Sequence, residues 1–307
     1  MQRHTSLSRI HLFIVIALSV VTFMIGGNRQ AAFAGDLPEI KKAGVLRHLG
    51  VPYANFVTGS GDGLDVELIK LFADHLGVKY EYVKTDWAGV ITDLTGKNIR
   101  VTKGKVQIVG EAPVKGDIIA NGMTIIPWRQ QVIDFSQPTF PTQVWLIAKA
   151  SSAMKPIIPT GYTMKDIAMA KDALRGATTI GKQKTCLDPD LYQLDAYTSH
   201  ITLFEGALNE LAPAMLSGLA ESTILDVPDA LIALEKWPGQ LKVIGPISAE
   251  QEMGAGFAKA APLLRAAFNE FFRKIKADGT YYRLVKKYYI DVFNYYPEFF
   301  SQQHISQ

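Results

Sequence analysis

The chain is 307 residues long, 48% hydrophobic and 20% charged, a globular composition with enough apolar material for two compact lobes. It excludes disorder, collagen-like repeats and a polytopic membrane protein. Of the 32 Lys and Arg, Arg3, Arg9 and Arg29 fall in the first 34 residues, which hold no Asp or Glu. The rest carries as many basic as acidic residues, so no electrostatic pull toward nucleic acid or anionic lipid is expected.

Arg3, His4 and Arg9 precede an uncharged apolar run from Leu12 to Ile25, followed by Gly26-Gly27 and Ala32-Phe33-Ala34-Gly35. A basic start, an apolar stretch and a small-x-small site describe a secretory signal peptide, residues 1–34, cleaved after Ala34. An uncleaved anchor would need about 20 apolar residues to span the bilayer, more than this run supplies. Cys186 is the one cysteine and lies far from the signal, so no lipid anchor, internal disulfide or cysteine-built zinc site is expected. Export then delivers a soluble periplasmic protein.

Gly44 to Val51 reads as a first strand, followed by Tyr53-Ala54-Asn55-Phe56 and the turn-rich Thr58-Gly59-Ser60-Gly61-Asp62-Gly63. Apolar residues at 68, 69, 72 and 76 predict a helix over 64–76, stopped by Gly77. Val78 to Val83 alternates as a strand, and strand, helix, strand implies a parallel α/β unit. Gly116 to Met123 reads as a strand entering a glycine turn, and Val144 to Ala148 as a buried strand. The Ser/Lys/Pro-rich stretch Lys149–Thr160 marks a change of composition and a crossing into a second lobe. There Ala177 to Gly181 and Ser222 to Asp226 read as strands, with helical segments around Leu191 and from Leu208 to Leu219. Val243-Ile244-Gly245-Pro246 marks the return. Leu264, Ala267, Phe268, Phe271 and Ile275 define an amphipathic helix, and another carries Leu284, Val285, Tyr288 and Tyr289. The expected domains are 35–146 with 246–307, and 147–245.

Enzyme and metal signals are poor. The six His residues are scattered, Cys186 with His200 is better read as a lone thiol, and the glycines at 59, 61 and 63 lack a phosphate-loop lysine. No metal or cofactor is expected. The segment Gly122-Met123-Thr124-Ile125-Ile126-Pro127-Trp128-Arg129 stands out, because a strand ending in glycine that leads to a threonine and an arginine at a helix start gathers N–H groups, a hydroxyl and a guanidinium around one anion-sized volume. The competing reading has Arg129 paired with a surface Asp and Thr124 as a helix cap.

A wider pattern bears on that choice. Val51-Pro52-Tyr53-Ala54-Asn55-Phe56, Gly63-Leu64-Asp65-Val66-Glu67-Leu68, Asp86-Trp87-Ala88-Gly89-Val90, Gly122 to Arg129, Asp134-Phe135-Ser136, Asp226-Val227-Pro228-Asp229, Gln251-Glu252-Met253-Gly254 and Ala277-Asp278-Gly279-Thr280 to Tyr289 follow one another in an order that resembles the extracellular solute-binding protein family 3, the polar amino acid receptors of ABC importers. The resemblance covers nearly all of the chain after residue 34. It implies a two-lobed periplasmic binding protein fold of type II: α/β, with two parallel or mixed sheets flanked by helices and a two-crossing hinge that closes over a ligand.

Carried over by position, Arg129 grips the ligand α-carboxylate and Thr124 adds its hydroxyl, while the Gly122 backbone accepts from the α-ammonium. Asp226 holds that ammonium, and Tyr53 and Trp87 are plates on either side of the ligand side chain. The lobe-two turn that touches the carboxylate corresponds to Gln183-Lys184-Thr185-Cys186, which departs from the family's glycine and hydroxyl pattern, so Thr185 and Cys186 join the candidate site. Gly50 stands where many members carry an acid, and about 18 residues from Gly96 to Pro113 look inserted, read as a surface hairpin with a lid as the alternative. The implied function is a monomeric, non-catalytic receptor that delivers an amino acid or similar zwitterion to an inner-membrane ABC permease. The alternatives are a cyclohexadienyl dehydratase-like enzyme, with Asp188 or Glu221 as general acid, and a ligand-sensing accessory protein.

Overall fold

The computed structural model describes residues 34–102 and 104–301, so the signal-peptide run lies outside the described residues apart from Ala34. The turn at 58–63 opens into helix Leu64–Leu76 through Gly63, whose φ is 130° and where a Cβ would come within 2.3 Å of the Phe56 carbonyl oxygen. Gly77 stops the helix in the left-handed conformation. The buried face of this helix carries Leu68, Ile69 and Phe72, and Phe72 meets Phe268 of helix Pro262–Ala277 edge to face, with ring centroids 5.2 Å apart.

These helices flank a first sheet with strands in the order Lys79–Lys84, Val45–Gly50, Ile118–Ile119, Gly256–Ala258, Ile133–Phe135. The first three run parallel, and Gly256–Ala258 is antiparallel to both its neighbours. A second sheet has the order His200–Leu203, Thr178–Gly181, Ser222–Asp226, Val144–Lys149, Leu241–Pro246. Its first three strands are parallel, and the last two complete it with antiparallel pairs. Both sheets are mixed, and the parallel strands of each end on the connections that carry the polar residues discussed below.

The chain passes between the sheets at two places that differ from the expected boundaries. Val144–Lys149 pairs along its length with Ser222–Asp226 and Leu241–Pro246, so residues 144–146 belong to the second sheet and the crossing precedes Val144. The Lys149–Thr160 stretch lies wholly beyond it, where Ile157 N–H donates to the Ile244 carbonyl at 2.8 Å. Composition marked this stretch because it is an irregular surface connection, which is a property of loops and not of crossings. The return follows Pro246, where Ile247 N–H donates to Val144 O at 2.7 Å. The two crossings are tied by the antiparallel pair Phe140–Thr142 and Gln251–Met253.

The inserted segment forms a separate antiparallel hairpin, Lys97–Thr102 with Lys105–Glu111. The predicted strand over 116–123 is regular only at Ile118–Ile119, because the chain turns into the irregular segment that leads to Arg129. Among the described residues, no helix is long and apolar enough to cross a membrane.

Candidate functional site

Ligand groups in open α/β sheets cluster beyond the carboxyl ends of parallel strands, where backbone dipoles converge and side chains are free of the ladder. Here Trp87 follows Lys79–Lys84, Tyr53 follows Val45–Gly50, and Asn121 to Thr124 follow Ile118–Ile119. In the second sheet Cys186 follows Thr178–Gly181, and Asp226 ends its own strand.

Contacts join these residues into one constellation. The Tyr53 hydroxyl donates to an Asp226 carboxylate oxygen, and the Cys186 thiol approaches the other oxygen at 3.3 Å. The Tyr53 ring stands edge-on to Trp87, with centroids 5.6 Å apart and planes at 83°. The Arg129 guanidinium lies over the Trp87 ring at 5.5 Å and over Trp128 at 5.4 Å, and its Nη1 donates to the Thr124 carbonyl at 2.8 Å. Tyr53 and Trp87, expected on either side of a ligand side chain, here meet edge to face and form a corner. Tyr53 turns because its hydroxyl reaches across to Asp226.

Arg129 and Asp226 are 1% and 0% exposed, yet neither forms an ion pair among the described residues. The surface Asp partner and the helix-cap role considered for Arg129 and Thr124 are therefore not what the structure shows. Burial lowers the Arg129 pKa. It raises the Asp226 carboxyl to about 6, against the bonds from Tyr53 and Cys186 and the field of Arg129, which favour the charged form. Burial also pushes the Cys186 thiol well up, which removes thiolate character.

Gly122 takes φ 66°, a Cβ there would meet the Phe56 ring at 2.3 Å, and its N–H donates to the buried Asp65. Thr124 is fully buried, and its hydroxyl lies close enough to the Cys186 thiol to act on it while making no hydrogen bond of good geometry among the described residues. Thr185 plays a different part from the one expected. Its hydroxyl donates to Lys182 O at 2.8 Å and accepts Leu187 N–H at 3.0 Å, so this side chain builds the turn while the N–H groups of Thr185 and Cys186 make no bond among the described residues. Asp188 and Glu221, the general acids of the enzyme alternative, bond backbone N–H groups and none of the constellation's side chains among the described residues. Asp188 accepts the N–H groups of Asp190 and Lys184, and Glu221 accepts that of Thr178 at the opposite end of the Ser222–Asp226 strand.

Three residues were not named as site residues from the sequence. Asn121 is fully buried, and both amide atoms lack a partner among the described residues. Tyr192 donates to the Cys186 carbonyl at 2.5 Å. Asp229 is buried near Asp226, and burial followed by the charge of Asp226 raises its pKa well above the usual range. The readable signal for Asn121 was a polar residue wedged between a buried strand and a glycine. Trp87 and Thr124, which contact Arg129, and Arg129 itself each keep a buried polar atom with no hydrogen bond among the described residues, and such atoms in a native fold need an explanation, of which a polar guest is one.

Two mixed sheets joined by two crossings, with buried opposite charges beyond the strand ends, define the type II periplasmic binding protein fold. The chain belongs to the bacterial extracellular solute-binding proteins, family 3, which it matches over residues 49–111 and 112–291. The lysine/arginine/ornithine-binding periplasmic protein of Escherichia coli is 26% identical over 286 residues, covering 90% of this chain and 96% of its own. The membrane-bound lytic murein transglycosylase F of Desulfosudis oleivorans is 27% identical over 235 residues, covering 76% of this chain; the match spans 46%, about half, of that relative's length. The crystal structure of an ancestral amino acid-binding protein, a precursor of cyclohexadienyl dehydratase, superposes with a TM-score of 0.64 at 26% identity, over 82% of this chain and 98% of that one.

Proposed function

We propose that the chain is a periplasmic receptor that captures an amino acid or similar small zwitterion between its two halves and presents it to an inner-membrane ABC permease, working as a monomer after cleavage behind Ala34. The observation that carries this reading is that Arg129 and Asp226 are buried, oppositely charged, held by different sheets and not paired with each other. A zwitterion gives each its partner, and unpaired buried charge costs several kcal/mol. By touching residues 144–246 as well as the flanking half, it would favour the closed arrangement of two lobes hinged at the crossings. The name and near-complete overlap of the Escherichia coli relative support an amino acid as ligand class.

The test is a thermal-shift panel of amino acids and small organic acids on the chain beginning at Gly35, followed by calorimetry on the hits. Asp226→Asn keeps shape and removes charge, so it is expected to penalise ligands with a free ammonium far more than plain carboxylates. Unchanged binding of the wild-type ligand would reassign the site to an organic acid. A second reading, a dehydratase on the same scaffold, draws on the Asp226 carboxyl near pH 6 and on the dehydratase precursor among the similar structures. Turnover of prephenate or arogenate would establish it.

A further inference from the structure

The inserted hairpin lies between two segments that carry site residues. Helix Val90–Thr95 connects it to Trp87 on one side, and Ile118–Ile119 connects it to Asn121 and Thr124 on the other. Its base is closed by Ala112 N–H donating to Gly96 O at 2.9 Å, with Gly96 left-handed at φ 70°, and by Asn98 Nδ2 donating to Glu111 O at 3.1 Å. Its Ile99, Val101 and Val106 are half-buried against the core.

Among the described residues, Gln131 fastens the tip. Gln131 Nε2 donates to Gly104 O at 2.8 Å, and Gln131 Oε1 accepts Val106 N–H at 3.2 Å. Gln131 directly follows helix Pro127–Gln130, the turn that holds Trp128 and Arg129. An amide that satisfies one donor and one acceptor of the same loop fixes its orientation as well as its distance. Val101, Thr102 and Gly104 line a cavity of about 660 Å³ together with Trp128, whose ring lies under the Arg129 guanidinium. Its opposite wall is Gln183, Lys184 and Asp188 from the turn around Cys186, in the half of the second sheet.

We propose that the hairpin Lys97–Glu111 is a clasp over the mouth of the site, with the Gln183–Asp188 turn as the facing jaw and Gln131 as its fastening, and that it sets the rate at which small molecules reach and leave the buried residues. The placement argues against a solvent-directed ornament. One end of the loop is bonded to the helical turn of Arg129, and its tip faces the opposite half across a cavity. A loop in that position closes the mouth when the halves approach and opens it when they part. The hairpin touches none of the site's charged groups among the hydrogen bonds and ion pairs described, so it acts on access and not on selectivity.

The sole cysteine reports access without any ligand, so this test is separate from the receptor reading, on which the proposal otherwise rests. Cys186 is 3% exposed and lies in the site. Because the Gly96 and Ala112 backbones already meet, residues 97–111 can be replaced by Gly-Ser-Gly without straining the ends. Iodoacetamide reacts with the thiolate that burial denies Cys186, so alkylation reads the opening that exposes it; followed by intact mass at fixed pH, it is expected to run about tenfold faster in the excised variant than in wild type, and several-fold faster in Gln131→Leu, with the melting transition retained. An unchanged alkylation rate in the folded excised variant overturns the proposal. If that variant fails to fold, Gln131→Leu decides: a faster rate supports the clasp, and an unchanged rate overturns it.

Discussion

The Asp65 carboxylate accepts the Gly122 N–H at 2.7 Å inside the core, and no other hydrogen-bond donor to it occurs among the described residues. Asp65 thereby holds the left-handed turn from which Asn121 and Thr124 project, but it sits where charge is poorly solvated. Burial raises its pKa to about 7, and the Gly122 bond only partly opposes this. The folded pKa exceeds the unfolded value of about 3.9, so the folded chain binds the extra proton between these limits. The stability it contributes is complete below about pH 4 and is lost as pH rises toward 7. Asp65→Asn keeps an acceptor for Gly122 and should gain on wild type by roughly 1–3 kcal/mol between pH 4 and 8, measured by urea unfolding.

His48 carries the opposite sign. Its Nε2 faces the Ala120 carbonyl at 2.6 Å, which can only accept, so Nε2 donates and Nδ1 accepts the Tyr80 hydroxyl at 2.8 Å. Burial lowers its pKa to about 4. As pH falls from about 6.5 to 4 the unfolded chain takes a proton that the folded chain refuses, and stability is lost. Proton NMR should show the His48 ring untitrated at pH 5.5 and taking up its proton only as the pH approaches 4.

Arg129 should be dispensable for folding and indispensable for binding. Arg129→Met removes a buried cation without an ion-pair partner while filling its volume, so the melting point of the free protein should hold or rise. Affinity should fall by roughly 3–5 kcal/mol, two to four decades, in calorimetry. A lowered melting point together with normal affinity would place Arg129 in the scaffold and not in the site.

A direct bond joins the halves beside Tyr53. Ala54, at φ 47°, donates its N–H to Asn209 Oδ1 at 3.0 Å. Asn209 forms no hydrogen bond to a candidate site residue among the described residues, so Asn209→Ala should weaken every ligand by the same factor, about two- to tenfold, as expected for one bond that favours closure. The order of preference among ligands in the thermal-shift panel should not change.

Local chemistry made much of this fold legible and long-range pairing hid the rest. Helices Leu64–Leu76 and Pro262–Ala277 were readable because a 3.6-residue apolar repeat and glycine or proline punctuation are local facts. Val144–Lys149 was readable as a strand, but its sheet was not, since an apolar run carries no mark of its partners. Gly256–Ala258 is three residues long and owes its place to neighbours far away in the chain. In the candidate site, Arg129 and Gly122 stood out in one segment and Asp226 came with the family resemblance, whereas the corner between Tyr53 and Trp87 depends on a hydroxyl reaching the other sheet. The burial of Asn121 likewise emerges only once strands on either side are in place.

The two sheets also differ in how their strands are drawn from the chain, and this imposes an order on folding. Every strand of the second sheet lies between Val144 and Pro246, so that unit is complete once residue 246 has emerged. The first sheet has Gly256–Ala258 in its interior, between Ile118–Ile119 and Ile133–Phe135, and it is covered by helix Pro262–Ala277. It cannot close until the carboxyl-terminal segment arrives. A chain emerging amino end first therefore finishes its middle before its beginning, and the aminoterminal strands wait, with their edges unpaired, for the last part of the chain.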